Sequence, residues 1–504
     1  MNNKLAYILM LSAATACSFL DENPRDQKSQ EEVVTSPVTL YLNTLGNLYG
    51  MIGSDQTGEG LAGTCRGIYD LNTFTTDEAL LPTRGGDWYD GGLWQRLALH
   101  EWETGEEPIK NAWNYLYKVI VMANQAIADL EGFPKWQQEA RAVRAMYYYY
   151  LLDLFGRVPI VTSTNVAIAD VEQSRRDEVF RFVKQELEDV LVYLPLEKSN
   201  QPGNYYGRLT RPVAGFLLAK LCLNAPVYEG TERYDEVIGW CEFLSDEGYR
   251  LEENYRTNFA VFNERSEENI FTIPMDKHLY RAQNQYLFRS RHYDHAAAIG
   301  FTGENGSSAT LEVLKANDFD TEDQDPRFDM NYWGGIPTDL EGNPISIEYK
   351  PWSVNLDVTG TADEKTAGAR MRKYEIDPSA MQDGKLMDND WVLFRYADVL
   401  LMEAEAMLRT GHAEDALALV NKVRIRAKAP RMKELSLESL LEERLREFAW
   451  EGLRRQDLVR FGVFGDEAYK NVFPIPADIL ALNPNFHRTK GIKISISRVT
   501  IYKR

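Results

Sequence analysis

The stretch from residue 404 to residue 421 reads Ala404-Glu-Ala-Met-Leu-Arg-Thr-Gly411-His-Ala-Glu-Asp-Ala416-Leu-Ala-Leu-Val420-Asn421. Apolar side chains recur at helical spacing on both sides of Gly411, which breaks the pattern and so separates two helices. The small alanines let the two helices approach closely where they cross. The stretch therefore predicts a helix–turn–helix pair.

The same unit has the small-residue spacing of a tetratricopeptide helix pair, and similar pairs recur over residues 136–194 and 212–245. They are interrupted rather than repeated in tandem at a fixed period. We therefore predict a mainly α fold, a tetratricopeptide-like helical-repeat scaffold. Helical periodicity covers residues 40–51, 111–130, 136–155, 172–194, 212–223, 234–245, 391–409, 413–428 and 440–452.

Residues 249–382 differ from the rest, because Asn, Gly, Asp and Pro clusters replace the long periodic runs. A stretch of this length inside a compact domain is typical of a functional surface. We expect long irregular loops that form a ligand face on the helical scaffold. No Ser-, Pro- or Gly-rich linker separates the two halves, so residues 37–504 are predicted to form a single domain.

The N-terminus has the features of a signal peptide over residues 1–16, with Lys4 as a basic start and an apolar run too short to span a bilayer. Ala14-Thr-Ala-Cys17 fits a lipobox, so Cys17 is the predicted lipidation site, and its acyl chains would hold the mature protein on a membrane. Residues 17–36 are predicted to form a lipidated flexible tether. An ordinary signal peptide with an incidental cysteine is the alternative.

The bulk properties exclude several classes of ligand and scaffold. The chain has 504 residues, 44% of them hydrophobic, a net charge of -20 and a mean hydropathy of -0.40. The negative charge argues against nucleic acid and anionic lipid headgroups as ligands. Besides Cys17 the chain has Cys65, Cys222 and Cys241, too few for a disulfide scaffold. They are interpreted as buried side chains, although Cys222 and Cys241 could pair if their helices are neighbours.

No complete catalytic or cofactor motif is present in the sequence. It has no GxSxG elbow, no phosphate-binding loop and no HExxH, and Gly58-Glu-Gly60-Leu-Ala-Gly63 lacks the strand that precedes a nucleotide fingerprint. We therefore expect a protein without catalysis and without a cofactor. Paired carboxylates that meet only in space are the one catalytic alternative left open.

Two groups of side chains are considered as metal ligands and set aside. His292 and His295 have no adjoining ligand cluster and are interpreted as residues of a surface loop. Four aspartates lack the glycine and the terminal glutamate of a calcium loop and are interpreted as a solvated acidic loop. We predict no metal site, and calcium binding is left open. The aspartates are Asp318, Asp320, Asp323 and Asp325.

Two loop segments contain the residue types of a sugar site. Aromatic rings stack on the apolar faces of sugars, and Asp and Arg side chains bond to their hydroxyl groups. Trp94 and Trp102 are assigned to core packing, whereas the glycine-flanked Trp88 and Tyr89 are predicted to be exposed. The candidate ligand-binding residues are Tyr69, Asp70, Arg84, Asp87, Trp88, Tyr89 and Asp90 in the first segment, and Trp333 and Arg372 in the second.

Several motifs occur in an order that resembles the SusD/RagB family, the outer-membrane glycan-binding lipoproteins of Bacteroidetes. Residues 17–24 look like its mature N-terminus, and residues 141–161, with four successive tyrosines, look like its most specific signature. Further matches are residues 394–406, 421–424 and 443–452, Phe473-Pro-Ile-Pro476 and Asn483-Pro484. The resemblance covers essentially the whole chain.

The resemblance implies the fold, the location and the partners of the protein. It implies tetratricopeptide-like helices with a looped ligand face, an oligosaccharide ligand and binding without catalysis. It also implies a lipid anchor in the outer membrane facing the exterior, and delivery of the glycan to a SusC-like TonB-dependent transporter. Residues 141–161 are then scaffold rather than ligand contacts. The alternative is a peptide- or protein-binding lipoprotein on the same scaffold, which would use helix faces rather than loop aromatics.

Overall fold

The computed structural model describes residues 36–54, 56–61, 64–279, 285–380 and 384–487. The predicted signal peptide, Cys17 and residues 17–35 of the tether lie outside the described residues. Contacts group the described residues from 44 onward into one compact unit and residues 36–43 into another. No helix in the described ranges is both long and apolar enough to cross a membrane.

Helices make up most of the regular structure, which confirms the prediction of a mainly α, tetratricopeptide-like fold. The long helices are Glu107–Asp129, Pro134–Phe155, Arg176–Val190, Arg211–Leu223, Tyr234–Asp246, Tyr396–Arg409, Ala413–Arg426 and Leu437–Glu447. The short helices are Pro37–Tyr41, Asn47–Gly53, Ile68–Thr73, Leu93–Ala98, Ala225–Tyr228, Gln285–Ser290, Tyr293–Ala298, Leu311–Ala316, Arg327–Asn331, Arg454–Arg460 and Ala477–Leu482.

Consecutive long helices pack as pairs, as the periodicity predicts. Ala404 and Ala416 are completely buried in one cluster with Leu400 and Val420, so the small residues do lie at a helix crossing. Cys222 and Cys241 are buried free thiols, although the helices that contain them are neighbours, and Cys65 is a half-buried free thiol. The packed pairs are Glu107–Asp129 with Pro134–Phe155, Arg211–Leu223 with Tyr234–Asp246, and Tyr396–Arg409 with Ala413–Arg426.

The helix Pro134–Phe155, which contains the tyrosine-rich signature, is fastened to its neighbours by polar side chains. Arg144 pairs with Glu186 at 2.5 Å. The Tyr148 hydroxyl accepts from Val161 N at 2.7 Å and donates to Val161 O at 3.0 Å, which fixes the chain that leaves the helix. Asp153 is buried and accepts from the Arg455 guanidinium at 2.7 Å. These contacts are structural, in agreement with the sequence interpretation.

The helix predicted over residues 391–409 is partly wrong, because its first five residues form a strand. Trp391–Arg395 pairs antiparallel with Asn269–Ile273, with Trp391 opposite Ile273. Aromatic and β-branched side chains suit a strand, and the sequence pattern of an apolar run this short fits either state. Two further antiparallel pairs connect the loops: Ala79–Leu80 with Ser308–Ala309, and Tyr332–Trp333 with Arg370–Met371.

Removal of the Asp153 carboxylate tests the fastening of the signature helix. Arg455 is completely buried, and Asp153→Ala would leave its charge without a carboxylate partner. We expect the free energy of unfolding in urea to fall by about 3–5 kcal/mol. Asp189→Ala is the control, because its side chain is 43% exposed, and we expect a change within about 0.5 kcal/mol. Equal losses in both variants would contradict the assignment.

Candidate ligand-binding face

The loop 84–92 is held in a tight, partly left-handed conformation. Arg84 N donates to Asp87 O at 2.9 Å across the turn that Gly85 and Gly86 make with positive φ. Trp88 and Asp90 also have positive φ, 62° and 43°, which side chains with a Cβ seldom adopt. Such conformations cost free energy and persist where the surrounding structure fixes them, often at binding sites.

Trp88 is half-buried and rigidly held, so the expected exposure is only partly met. Its indole Nε1 donates to Glu304 O at 3.0 Å, and its ring meets the Trp94 ring edge-to-face at 6.4 Å. Gly306 packs directly against the indole. Trp94 and Trp102 are buried, as expected.

The exposed Asp87 side chain of this loop meets the short helix Tyr293–Ala298. Tyr89 is 51% exposed and Tyr293 is 42% exposed, and the Tyr293 hydroxyl donates to Asp87 Oδ2 at 3.2 Å. Lys365 Nζ lies 3.4 Å from the same carboxylate oxygen. An accessible ring, an anion and a cation therefore meet at this surface, and Tyr89 is exposed in the same loop as Asp87. The sequence did not single out Tyr293 or Lys365, because their positions in the chain give no sign of their proximity to Asp87.

Three of the predicted ligand residues are corrected by the structure. Tyr69 is 3% exposed, and Asp70 and Arg84 are completely buried, so none of them can touch a ligand in this conformation. Asp70 pairs with the equally buried Arg289 at 2.9 Å. The Tyr69 hydroxyl donates to Trp450 O at 3.0 Å. Tyr69 and Asp70 are near the glycine-rich loop in the sequence, but they belong to the helix Ile68–Thr73, which is buried.

Arg84 supports the loop from inside. Its guanidinium donates to Glu364 O and Ala367 O, both at 2.9 Å, and to Ser308 Oγ at 2.8 Å. These bonds tie the loop 84–92 to the segment 305–370 beneath the face. Asp90 remains accessible, where it pairs with Arg66 at 3.0 Å and accepts from Trp94 Nε1 at 2.7 Å.

In the second predicted segment, the side chains of Trp333 and Arg372 stack on each other. Trp333 and Arg372 are half-buried at the short sheet of Tyr332–Trp333 and Arg370–Met371, and the Arg372 guanidinium lies 3.9 Å from the centre of the Trp333 ring. The His295 ring approaches Trp333 edge-on at 5.2 Å. The helix Tyr293–Ala298 therefore contacts the first segment through Tyr293 and the second through His295.

The interpretation of His292 and His295 as surface-loop residues is wrong. His295 is completely buried and His292 is 7% exposed. Burial, with Arg291 nearby, lowers the pKa of His295 to about 3, so its ring is neutral, and Nδ1 lies 3.0 Å from the Tyr349 hydroxyl. Within the described ranges no group of three or more His, Cys, Asp or Glu could hold a metal ion.

The acidic stretch 318–325 is also less solvated than expected. Asp318, Asp320 and Asp323 are at least partly exposed, but Asp325 is 5% exposed. Its carboxylate pairs with Arg327 at 2.8 Å. Asp325 therefore belongs to a buried ion-pair network and not to a calcium loop.

Gly306→Ala tests whether Trp88 is seated as described. A Cβ at this position would lie 2.7 Å from Trp88 Cε2, so the indole must shift, which would disturb its hydrogen bond to Glu304 O. We expect the indole N–H resonance of Trp88, assigned with Trp88→Phe, to shift, and stability to fall by about 1–3 kcal/mol. Gly239→Ala is the control, because its Cβ would meet no atom within 4 Å. An unchanged resonance in Gly306→Ala would refute the packing.

Comparisons with known proteins agree with this architecture. Residues 306–494 match the model described as "SusD family", and residues 19–223 match one described as "Starch-binding associating with outer membrane". The starch-binding protein SusD of Bacteroides thetaiotaomicron is 24% identical, over 96% of this chain and 97% of that protein. SusD-like protein P25 of Formosa agariphila is 23% identical, with the same coverage of 96% and 97%.

Solved structures share the fold. A laminarin-binding SusD-like protein superposes with a TM-score of 0.71 at 21% identity, over 90% of this chain and 99% of that one. Surface glycan-binding protein A from Bacteroides uniformis gives a TM-score of 0.70 at 21% identity, over 88% and 99%. The two family models cover most of the chain between them, and the chain therefore belongs to the SusD family.

Proposed function

We propose that this protein is a surface lipoprotein that binds an oligosaccharide or polysaccharide at the loop face. One observation carries the proposal: the accessible Tyr293 ring is hydrogen-bonded to the Asp87 carboxylate, in a loop that also exposes Tyr89 and is held by buried contacts. Sugar rings offer apolar faces for stacking and hydroxyl groups for hydrogen bonds, and this surface supplies partners for both. The named functions of the starch- and laminarin-binding relatives agree with the proposal.

The ligand contacts that we propose come from both loop segments. Asp87, Trp88, Tyr89 and Asp90 contribute from the loop 84–92, and the stacked Trp333–Arg372 pair contributes from the other side of the helix Tyr293–Ala298. Tyr293 joins them because it is exposed and bonded to Asp87. The loop is held by buried contacts, so little ordering entropy is lost on binding.

We propose that the glycan is released from the protein uncleaved. It then enters a SusC-like TonB-dependent transporter in the outer membrane. A catalytic site needs a placed nucleophile, base or metal, and the sequence contains no complete motif of that kind. A lipid on Cys17 would hold the protein at the membrane, and the tether 17–36 would let it move over the transporter. Purified protein should release no new reducing ends from its glycan.

Tyr89→Ala tests the glycan face. The side chain is 51% exposed, so its loss should weaken the binding of the best oligosaccharide from a glycan array by about 1–3 kcal/mol. The melting temperature should stay unchanged. Trp88→Ala should weaken binding by a similar amount and should also lower the melting temperature, because the indole is packed against Trp94.

Tyr193→Ala is the matched control. Tyr193 is 46% exposed but belongs to the turn after the helix Arg176–Val190, away from both loop segments in the chain. We expect its calorimetric affinity to equal that of the wild type. Wild-type affinity in Tyr89→Ala would remove this residue from the proposed site.

Cys17→Ala tests the lipid anchor. Without the thiol no acyl chain can be attached, so the variant should move from the membrane fraction to the soluble fraction when the transporter gene is deleted. Retention in the membrane fraction under that condition would argue against lipidation at this residue.

Association with the transporter is tested by affinity purification. A tag after Arg504, with gentle detergent extraction from cells grown on the inducing glycan, should recover a large outer-membrane barrel protein together with the lipoprotein. Repeated recovery of the lipoprotein alone would favour a free-standing binder.

A further inference from the structure

Buried arginines in this protein normally have carboxylate partners. Seven arginine side chains are at most 1% exposed, and five of them pair with Asp or Glu within 4 Å. A buried charge without a counter-charge costs several kcal/mol, so this pairing is what desolvation demands. The two exceptions among the described residues are Arg84 and Arg370, and both lie under the proposed glycan face.

Arg84 and Arg370 are held by neutral groups only. Both guanidinium groups donate to Ala367 O and to Ser308 Oγ. Arg370 also donates to Asn305 Oδ1 at 2.9 Å. Burial lowers the pKa of Arg370 to about 10, so the group is still a cation at neutral pH. Their guanidinium groups are therefore held by dipoles without an ion pair to any described residue, and Glu364 is the one described carboxylate that acts on Arg84 from a distance.

Arg291 adds a third cation of the same kind. It is 6% exposed, and no described residue forms an ion pair or a side-chain hydrogen bond with its guanidinium. Burial lowers its pKa to about 10, which again leaves it charged at neutral pH. Arg291 and Arg372 both lie close enough to His295 to lower the pKa of that ring.

Arg372 is the accessible member of the group. Its guanidinium stacks on the Trp333 ring at 3.9 Å and makes no ion pair or hydrogen bond with a described side chain. Stacking uses the face of the guanidinium and leaves its in-plane N–H donors available, in the fork geometry that fits a carboxylate or a sulfate. Asp329 is a nearby carboxylate, and it accepts a hydrogen bond from Gln324.

Two of the acids that line the face share one lysine. Asp87 and Glu364 lie 3.4 and 3.5 Å from Lys365 Nζ. Asp294, 67% exposed in its side chain, stands 3.9 Å from the neutral His292 ring. The protein as a whole has a net charge of -20, so a group of four guanidinium groups without ion pairs to the described residues departs from its acidic average.

We infer that the proposed glycan site takes an acidic glycan, whose carboxylate or sulfate group is bound by the in-plane donors of the Trp333-stacked Arg372, with Arg291, Arg370 and Arg84 supplying positive potential from below. This inference rests on the proposed function and adds the chemical class of the ligand. The carboxylate and the sulfate share one feature: each is an oxyanion, planar or tetrahedral, attached to a sugar ring.

The test compares acidic with neutral oligosaccharides by calorimetry on the full mature chain. The neutral probes are hexamers of α-1,4-glucose, β-1,3-glucose and β-1,4-xylose. The acidic probes are hexamers of galacturonate and mannuronate, and a chondroitin sulfate hexamer with its desulfated counterpart. We expect an acidic probe to bind at least tenfold tighter than every neutral one. Preference for a uronate identifies a carboxylate, and loss of binding on desulfation identifies a sulfate.

Variants separate the role of Arg372 from general charge. Arg372→Gln should lose at least tenfold in affinity for the acidic probe while its affinity for neutral probes stays the same, and Arg372→Lys should recover part of the loss. Arg181→Gln removes one positive charge from an exposed helix position and should bind as the wild type. Raising NaCl from 50 to 300 mM should weaken the wild type more than Arg372→Gln.

The possible results separate a failure of the acidic-glycan inference from a failure of the proposed glycan-binding function. If neutral hexamers bind tightest and Tyr89→Ala abolishes that binding, the protein binds glycans but the acidic class is wrong. If acidic probes bind and Arg372→Gln binds them as the wild type, the assignment to Arg372 is wrong. If no probe of either kind binds, both the inference and the proposed function fail.

Discussion

Glu447 accepts hydrogen bonds from three buried arginines, and the rest of the architecture depends on this cluster. Arg395 NH1 lies 2.6 Å from its carboxylate, Arg327 NH1 lies 3.0 Å from it, and Arg426 is bonded to it as well. The three arginines come from the strand Trp391–Arg395, from the loop region at the helix Arg327–Asn331 and from the helix Ala413–Arg426. One carboxylate thus connects the ligand loops to the C-terminal helix pair.

Electrostatics make the Glu447 carboxylate a strong constraint, and Arg327, Arg395 and Arg426 each have a further carboxylate partner. Burial alone would raise the pKa of Glu447, but Arg426, Arg395 and Arg327 hold it well below its usual range. Because the folded pKa is depressed, the stabilisation is present above the pKa of an unfolded glutamate, about 4.3, and is lost as the pH falls below that value. Loss of the carboxylate would leave three buried cations undercompensated, a cost of about 3–5 kcal/mol for a broken buried pair.

The sequence predicted the scaffold better than the site, for physical reasons. Helical periodicity and the alanines at the crossing are local signals, so Ala404 and Ala416 are buried where expected. The burial of Asp70 depends on Arg289, more than two hundred residues away, and no spacing rule reports such a pair. The exposed Tyr89 was predicted from its glycine neighbours, whereas the proximity of Tyr293 to Asp87 exists only in three dimensions.

Hydrogen exchange of Glu447→Gln, read by mass spectrometry, tests most directly whether this cluster holds the ligand face on the scaffold. The substitution keeps the side-chain volume and removes the charge that Arg327 and Arg395 need. We expect faster exchange in residues 325–333 and 369–375, with wild-type protection in the helices Glu107–Asp129 and Pro134–Phe155. Wild-type exchange in the loop segments, or equal acceleration in all helices, would contradict it.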